Sequence, residues 1–429
     1  MDIEISHSNQ YNSGFVISLG GYLLSETRSS VIIDKHDKGV RVNKLPSPST
    51  LKTIIVSSAH AMHDTYSGFI APLLPFLIDR LSLLKAEAGL FILVYQGISI
   101  LQPVIGHISD SKDLRKFALV APAITAVFIS LLGTAPTFPV ALLYCLIAGI
   151  SSSTLHAILP ALVSGLSGEN VGKGMSIWMI GGELGVMLGP ILVTAIITTF
   201  SIEATPWLML GGIFVSIALS YLLKDLKYQK SSAKLQAKIP IKDIMAILLP
   251  LAGISAMRSL LRSSSILYLP VFLLENGATV WFAGISLSIV QGIGMIGTIF
   301  GGYLSDRLGN RITIILSLTI SALSMLAFST TNGIIQIAFM SILSISTLMM
   351  MPVGMAIVQR NFPENRSLAN GLYLAMLFGI NALAGVLTGF MYDQIGGQQT
   401  FYWSGWAAFL GIPFIFLLPR EVKLHDNNL

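Results

Sequence analysis

The chain of 429 residues is short of charge: Asp, Glu, Lys and Arg make up 11% of it, against 53% hydrophobic residues. A soluble domain carries about 25% charged residues, so this sequence lacks the polar material to cover a water-facing surface. Its single cysteine, Cys145, lies in an apolar run. One thiol excludes an intrachain disulfide, a cysteine zinc cluster and a cysteine-held iron–sulfur centre. The start, Met1 to Gln10, is acidic and polar where a secretory signal has a basic region. No nucleophile–base pair, phosphate-binding loop or metal-ligand set stands out, so neither an enzyme nor a metal or cofactor is expected. The net charge is +5, but the basic residues are not interleaved with aromatics, which argues against nucleic acid as a partner.

What is present is a series of long apolar runs, at 51–79, 87–107, 117–134, 138–163, 174–200, 205–223, 243–274, 280–304, 311–329, 333–358, 367–392 and 400–419. A membrane-crossing helix needs about 20 such residues, so the reading is an all-α membrane protein with twelve transmembrane helices. The positive-inside rule tests that count, because one missed span would invert every later loop. With the N-terminus inside, cytoplasmic segments and span ends hold 22 of the 26 Lys and Arg, leaving Arg80 and Lys85 outside and Arg258 and Arg262 within the seventh span. Both termini are therefore expected to be cytoplasmic, in a multi-pass protein of the cell membrane. Residues 1–50 read as a cytoplasmic, disordered extension whose apolar patch, Phe15 to Leu24, is too short to span. A six-helix bundle over 51–223, a lysine-rich linker over 224–242, a second bundle over 243–420 and a tail over 421–429 complete the expected plan.

The halves repeat. At an offset of about 195 residues Pro75 aligns with Pro270 and Gly97 with Gly292; one residue later, Gly106 and Asp110 align with Gly302 and Asp306, and Gly189 with Gly385. Two six-span halves in one orientation form a parallel repeat, which places a substrate site at the midplane between them.

Gly302-Tyr-Leu-Ser-Asp306-Arg307-Leu-Gly309-Asn-Arg311 resembles the signature loop of the major facilitator superfamily, and Gly106-His-Ile-Ser-Asp110 through Arg115 and Lys116 resembles its first-half copy. The first copy departs from the pattern, with Asp113 where a second glycine is usual. The resemblance implies the major facilitator fold and a cytoplasmic gate at Gly106, Asp110, Arg115, Gly302, Asp306, Arg307 and Arg311, where Gly permits close approach and Asp and Arg form charge-assisted bonds. Gly181 to Pro190 in the fifth span resembles the family's antiporter motif, which assigns Gly185, Gly189 and Pro190 to helix packing and implies exchange; ordinary packing accounts for it almost as well.

Seven ionisable residues lie towards the middle of spans: His60, His63 and Asp64 in the first, His156 in the fourth, Glu183 in the fifth, and Arg258 and Arg262 in the seventh. A lone charge near the bilayer centre costs at least about 2.5–3.5 kcal/mol, which marks these as functional candidates. His60 and Asp64 share a helix face, as do Arg258 and Arg262. Asp64 and Glu183, assisted by His60, His63 and His156, are expected to couple protons. Arg258 and Arg262 are expected to bind an anion, with Arg258, nearer the span centre, the direct ligand. Competition between carboxylate and substrate for the arginine is expected to give antiport. The alternative for the set is permanent carboxylate–arginine pairing, with histidines bonded to backbone or to Ser152 and Ser153.

His60-x-x-His63-Asp64 followed by Pro72 and Pro75, with His156 and Pro160, is similar to the fosmidomycin-resistance type of drug exporter within the superfamily. That resemblance implies a proton-coupled exporter of small anionic drugs or metabolites, working as a monomer in the bilayer. Proton-coupled uptake of an organic anion, or a non-transporting receptor or assembly subunit on the same scaffold, are the alternatives.

Overall fold

A computed structural model describes residues 16–19, 22–25, 31–33, 42–44, 48–167, 171–224, 241–362 and 366–419. Ahead of the helices, Val16–Leu19 (β1) pairs antiparallel with Tyr22–Ser25 (β2), and Val31–Ile33 (β3) with Val42–Lys44 (β4). The expected disordered extension otherwise lies outside the described residues, as do the middle of the lysine-rich linker and the C-terminal tail.

From Pro48 the described chain is helical. The N-half holds α1 (Pro48–Ser67), α2 (Ile70–Leu81), α3 (Lys85–Gly97), α4 (Gln102–Ser111), α5 (Arg115–Leu132), α6 (Phe138–Ser167), α7 (Val171–Thr199) and α8 (Met209–Leu222). The C-half holds α9 (Ile241–Arg262), α10 (Leu269–Glu275), α11 (Val280–Leu308), α12 (Asn310–Thr330), α13 (Gly333–Leu348), α14 (Met350–Asn361), α15 (Arg366–Ile395), α16 (Gly397–Phe409) and α17 (Ile412–Ile415). Short 3₁₀ or π turns carry α3 into α4 and α9 into α10.

Among the described residues ten helices are long and apolar enough to cross a membrane. The expected first and twelfth spans are not among the ten, for physical reasons. The first carries Lys52, two histidines and Asp64 and breaks between α1 and α2, where Pro72 lacks the amide that would reach the Gly68 carbonyl. The last is divided between α16 and the single turn of α17. Span seven breaks at the position equivalent to the first: Pro270 lacks the amide for the Ile266 carbonyl, and the chain passes there through a π turn, Ser263–Leu267.

The apolar cores show how the halves sit. One cluster runs through both, from Leu74 and Phe91 of the N-half to Tyr268, Phe272 and Phe401 of the C-half. Towards the opposite end the core divides, with Val56, Ala118 and Leu159 in an N-half cluster and Leu251, Val353 and Tyr373 in a C-half cluster. The halves meet chiefly along α3 with α15 and along α7 with α11. They are therefore joined at the end holding Lys85 and separately packed at the end holding the signature loops.

Candidate functional site

The glycines of α7 set the position of the first ionisable cluster. Without a hydrophobic drive between helices in lipid, close association relies on small residues. A Cβ at Gly185 would overlap the Ala61 carbonyl oxygen, and one at Gly189 the Thr65 carbonyl oxygen. The expected packing motif is thus the seam of α7 against α1. Gly182 in the same seam faces the His60 ring and the Asp64 carboxylate, leaving room for both.

Four of the seven candidates meet there. His60 Nε2 is 3.1 Å from Asp64 Oδ2, His63 Nδ1 is 2.8 Å from Asp64 Oδ1, and His156 Nε2 is 3.6 Å from Asp64 Oδ1. The two Nε2 atoms of His60 and His156 lie 3.2 Å apart. Each ring is held from behind: Nδ1 of His60 donates to the Trp178 carbonyl and Nδ1 of His156 to the Ser152 carbonyl, both at 2.9 Å. The Trp178 indole also stacks on His60, with ring centres 3.8 Å apart. Asp64 is thus partnered by histidines of α1 and α6, not by an arginine.

The other three lie across the boundary between the halves. Gln291 of α11 donates from Nε2 to Glu183 Oε2 at 2.5 Å, bridging C-half to N-half. Gln291 also lines a small pocket with Arg262, Ser265, Ser344 and Thr347. Glu183 and Arg262 interact electrostatically across this boundary. Arg258 is placed differently from expectation: it is buried, and its Nε and Nη2 donate to the Thr347 carbonyl at 3.2 and 2.9 Å. Arg262, not Arg258, reaches the cavity.

At the joined end stand residues that the sequence reading passed over. Asp393 of α15 accepts the backbone N–H groups of Lys85 and Ala86 at 3.0 and 2.8 Å, capping α3 from the other half. The Lys85 ammonium pairs with Glu275 at 3.1 Å, and the buried Tyr268 hydroxyl donates to the Lys85 carbonyl at 2.8 Å. Lys85 had registered only as one of two basic residues outside. Gly89 and Gly385 allow the approach: a Cβ on Gly89 would come within 2.7 Å of the Gly385 oxygen.

At the signature loops the expected pairs are redistributed. Asp306 pairs with Arg360 of α14 at 3.1 Å, Arg307 lies over the Tyr303 ring, and Arg311 donates to the Leu418 carbonyl. Arg115 binds Asp113, its Nη2 at 2.7 Å from Oδ2. That charge-assisted bond lowers the Asp113 carboxyl to about 2. The Asp110 side chain lies outside the described atoms. A Cβ on Gly106 or Gly302 would touch nothing within 4 Å, so neither loop glycine is in tight contact.

A helical membrane chain of two repeated halves, with charges gathered at their boundary, is the build of a secondary transporter. The sequence profile described as Major Facilitator Superfamily matches residues 56–299 and 251–429, and the chain belongs to that superfamily. It is 23% identical over 380 residues to the Fosmidomycin resistance protein of Escherichia coli (strain K12), covering 86% of this chain and 93% of that one. It is 24% identical over 386 residues to the uncharacterized MFS-type transporter YfnC of Bacillus subtilis (strain 168), covering 87% and 94%. In fold it is similar to the nucleoside transporter NupG (TM-score 0.68, 16% identity, 87% of this chain and 100% of that one). It is also similar to a bacterial homolog of the human lysosomal transporter Spinster in an inward-facing and occupied conformation (TM-score 0.69, 14% identity, 87% and 97%). The protein is thus a multi-pass transporter of small molecules, not an enzyme.

Proposed function

We propose that this protein is a proton-coupled transporter of a small organic anion, a phosphonate or carboxylate, with Arg262 holding the anion and Glu183 the proton. It crosses the plasma membrane twelve times with both termini in the cytoplasm, and works by rocking its halves about the boundary. The observation that carries the reading is the Gln291–Glu183 bridge beside the cavity that Arg262 lines. A coupling carboxylate must change surroundings as the halves move. Glu183 meets this requirement, since its partner belongs to the other half. The partners of Asp64 are all on α1 and α6, which move with it.

The sign of the coupling follows from linkage. Protonating Glu183 removes a negative charge that competes for Arg262, so it strengthens anion binding, and a bound anion in turn favours the proton. Proton and anion therefore load together, which is symport and, under an inward proton gradient, uptake. This reverses the antiport expected from competition for the arginine. Antiport is the second reading, favoured by the resemblance to the Fosmidomycin resistance protein. It requires proton and substrate to exclude one another, as when a positively charged part of the substrate pairs with Glu183.

Proteoliposomes holding the purified protein and a lumenal pH dye decide between them. Fosmidomycin and simple carboxylates added outside should acidify the lumen if the solute brings its proton in. Alkalinisation would establish exchange, and no substrate-dependent proton flux with any organic anion or cationic drug would reject proton coupling.

A further inference from the structure

We infer that His60, Asp64 and His156 form a binding site for one divalent transition-metal ion of the zinc, cobalt or nickel class. The inference goes beyond the transport reading and does not rest on it. A carbonyl oxygen only accepts, so the contacts to Trp178 and Ser152 fix the proton of each neutral ring on Nδ1. Both Nε2 atoms then carry lone pairs, and they face each other at 3.2 Å. Two lone pairs at that distance repel unless a cation lies between them.

The third donor, the Asp64 carboxylate, places Oδ2 3.1 Å from His60 Nε2 and Oδ1 3.6 Å from His156 Nε2. Two ligands about 2.0–2.1 Å from a tetrahedral zinc ion are separated by about 3.3 Å, so the nitrogen–nitrogen spacing suits one shared ion, and one ligand atom from each of His60, Asp64 and His156 lies within 4.8 Å of the other two. The supporting bonds fit as well. Metal-bound histidines characteristically donate their second ring N–H to a carbonyl or carboxylate, as both rings do here, and His63 holds the carboxylate by donating from Nδ1 to Oδ1 at 2.8 Å. Stacking on Trp178 fixes the His60 plane. Two imidazoles and one carboxylate select zinc, cobalt or nickel over calcium or magnesium, which take oxygen ligands. The side chains of Asp64 and His156 keep 13% and 24% exposure, giving an ion access and leaving a fourth position for water or an anion.

The sequence reading missed this set because its members have no metal-binding spacing along the chain: His60 and His156 stand 96 residues apart and meet only when α1 packs on α6.

The test is calorimetric titration of the chelator-treated, tag-free protein in detergent with zinc chloride at neutral pH, with cobalt chloride as an optical probe. One zinc per chain is expected, with the intense visible absorption of tetrahedral cobalt bleached on adding zinc. His156→Ala and, as a milder change, His156→Gln should each weaken zinc binding at least tenfold, whereas His107→Ala, on α4 outside the cluster, should leave it unchanged. Melting curves of the metal-free variants identify any that do not fold, and zinc should raise the melting temperature of wild type only when the site is intact. A folded wild-type protein that binds no stoichiometric zinc or cobalt would show the imidazoles to share a proton only and overturn the inference. Undiminished zinc binding in a folded His156 variant would also overturn it.

Discussion

The Asp393 carboxylate caps α3 from the opposite half, accepting the Lys85 backbone N–H at 3.0 Å. Helix N-termini present unpaired donors and a partial positive charge, and a carboxylate satisfies both. Here the cap and the helix belong to opposite halves, so under the proposed rocking of the halves the bond exists only while this end is closed. Removing a cap costs about 1 kcal/mol, which corresponds to about a fivefold change in an equilibrium. Asp393→Ala should therefore raise the population open at this end about fivefold. Pulsed electron–electron distance measurements between spin labels at Leu84→Cys and Gln394→Cys would read it, the native Cys145 being buried. An unchanged distance distribution would leave the cap a local feature without a gating role.

Gly185→Ala tests the seam between α1 and α7. The added methyl meets the Ala61 carbonyl oxygen, a backbone atom that cannot rotate away. Overpacking of this kind costs about 1–3 kcal/mol, seen as a lower melting temperature in detergent. Gly165→Ala is the control, because a Cβ there meets nothing within 4 Å and should leave stability unchanged or improve it. Equal melting of Gly185→Ala and wild type would remove the close-packing role.

These two sites also mark what was legible in sequence. The long apolar runs and the basic asymmetry carry the helical plan, since bilayer thickness and loop charge are written locally. The α7 glycines were visible as packing residues, but not the helix they pack on. The Asp393 cap was hidden because its partners are backbone amides, which no side-chain pattern announces. For the same reason span position favours Arg258 over Arg262 as the anion ligand, and the order reverses only when the Thr347 carbonyl takes Arg258. His60 and Asp64 could be placed on one face by their spacing, whereas their meeting with His156 depends on tertiary packing.

Asp113 gives a pH prediction with a definite sign. Its bond to Arg115 holds its pKa at about 2, below the ordinary carboxyl value. A depressed pKa contributes stability above the unfolded-state value, lost only as pH falls through the folded one. Between pH 5 and 8 the group stays ionised, so Asp113→Asn should leave the shape of the pH–transport profile unchanged, whatever it does to the rate. The side chain is partly exposed, so its effect on overall stability should be small. A displaced pH profile in this variant would mean that the loop titrates with the transport cycle.

Glu183→Gln mimics the protonated carboxyl permanently. Anion binding by the wild type should strengthen as pH falls, because each proton taken up by Glu183 removes a competing negative charge. In the Gln variant affinity should stay high and lose its pH dependence, uphill transport should vanish, and exchange of labelled for unlabelled anion should survive. Retained accumulation against a gradient would take the coupling role away from Glu183.

Arg262 and Arg258 should separate in binding and stability measurements. The Arg262 side chain lines the cavity, so Arg262→Lys keeps the charge but loses the planar fork that matches a phosphonate or carboxylate. Loss of one charged hydrogen bond is worth about 1.5–3 kcal/mol, or about a 10- to 150-fold weaker dissociation constant. Arg258 spends two donors on the Thr347 carbonyl, so Arg258→Lys should lower the melting temperature while leaving anion affinity within a few-fold. Tryptophan-quenching or calorimetric titrations with fosmidomycin and acetate on both variants would measure it. If Arg258→Lys lost affinity and Arg262→Lys kept it, the anion would belong on Arg258, as span position alone suggested. If neither lost affinity, both arginines would be helix-pairing residues and a cationic substrate would fit the site better.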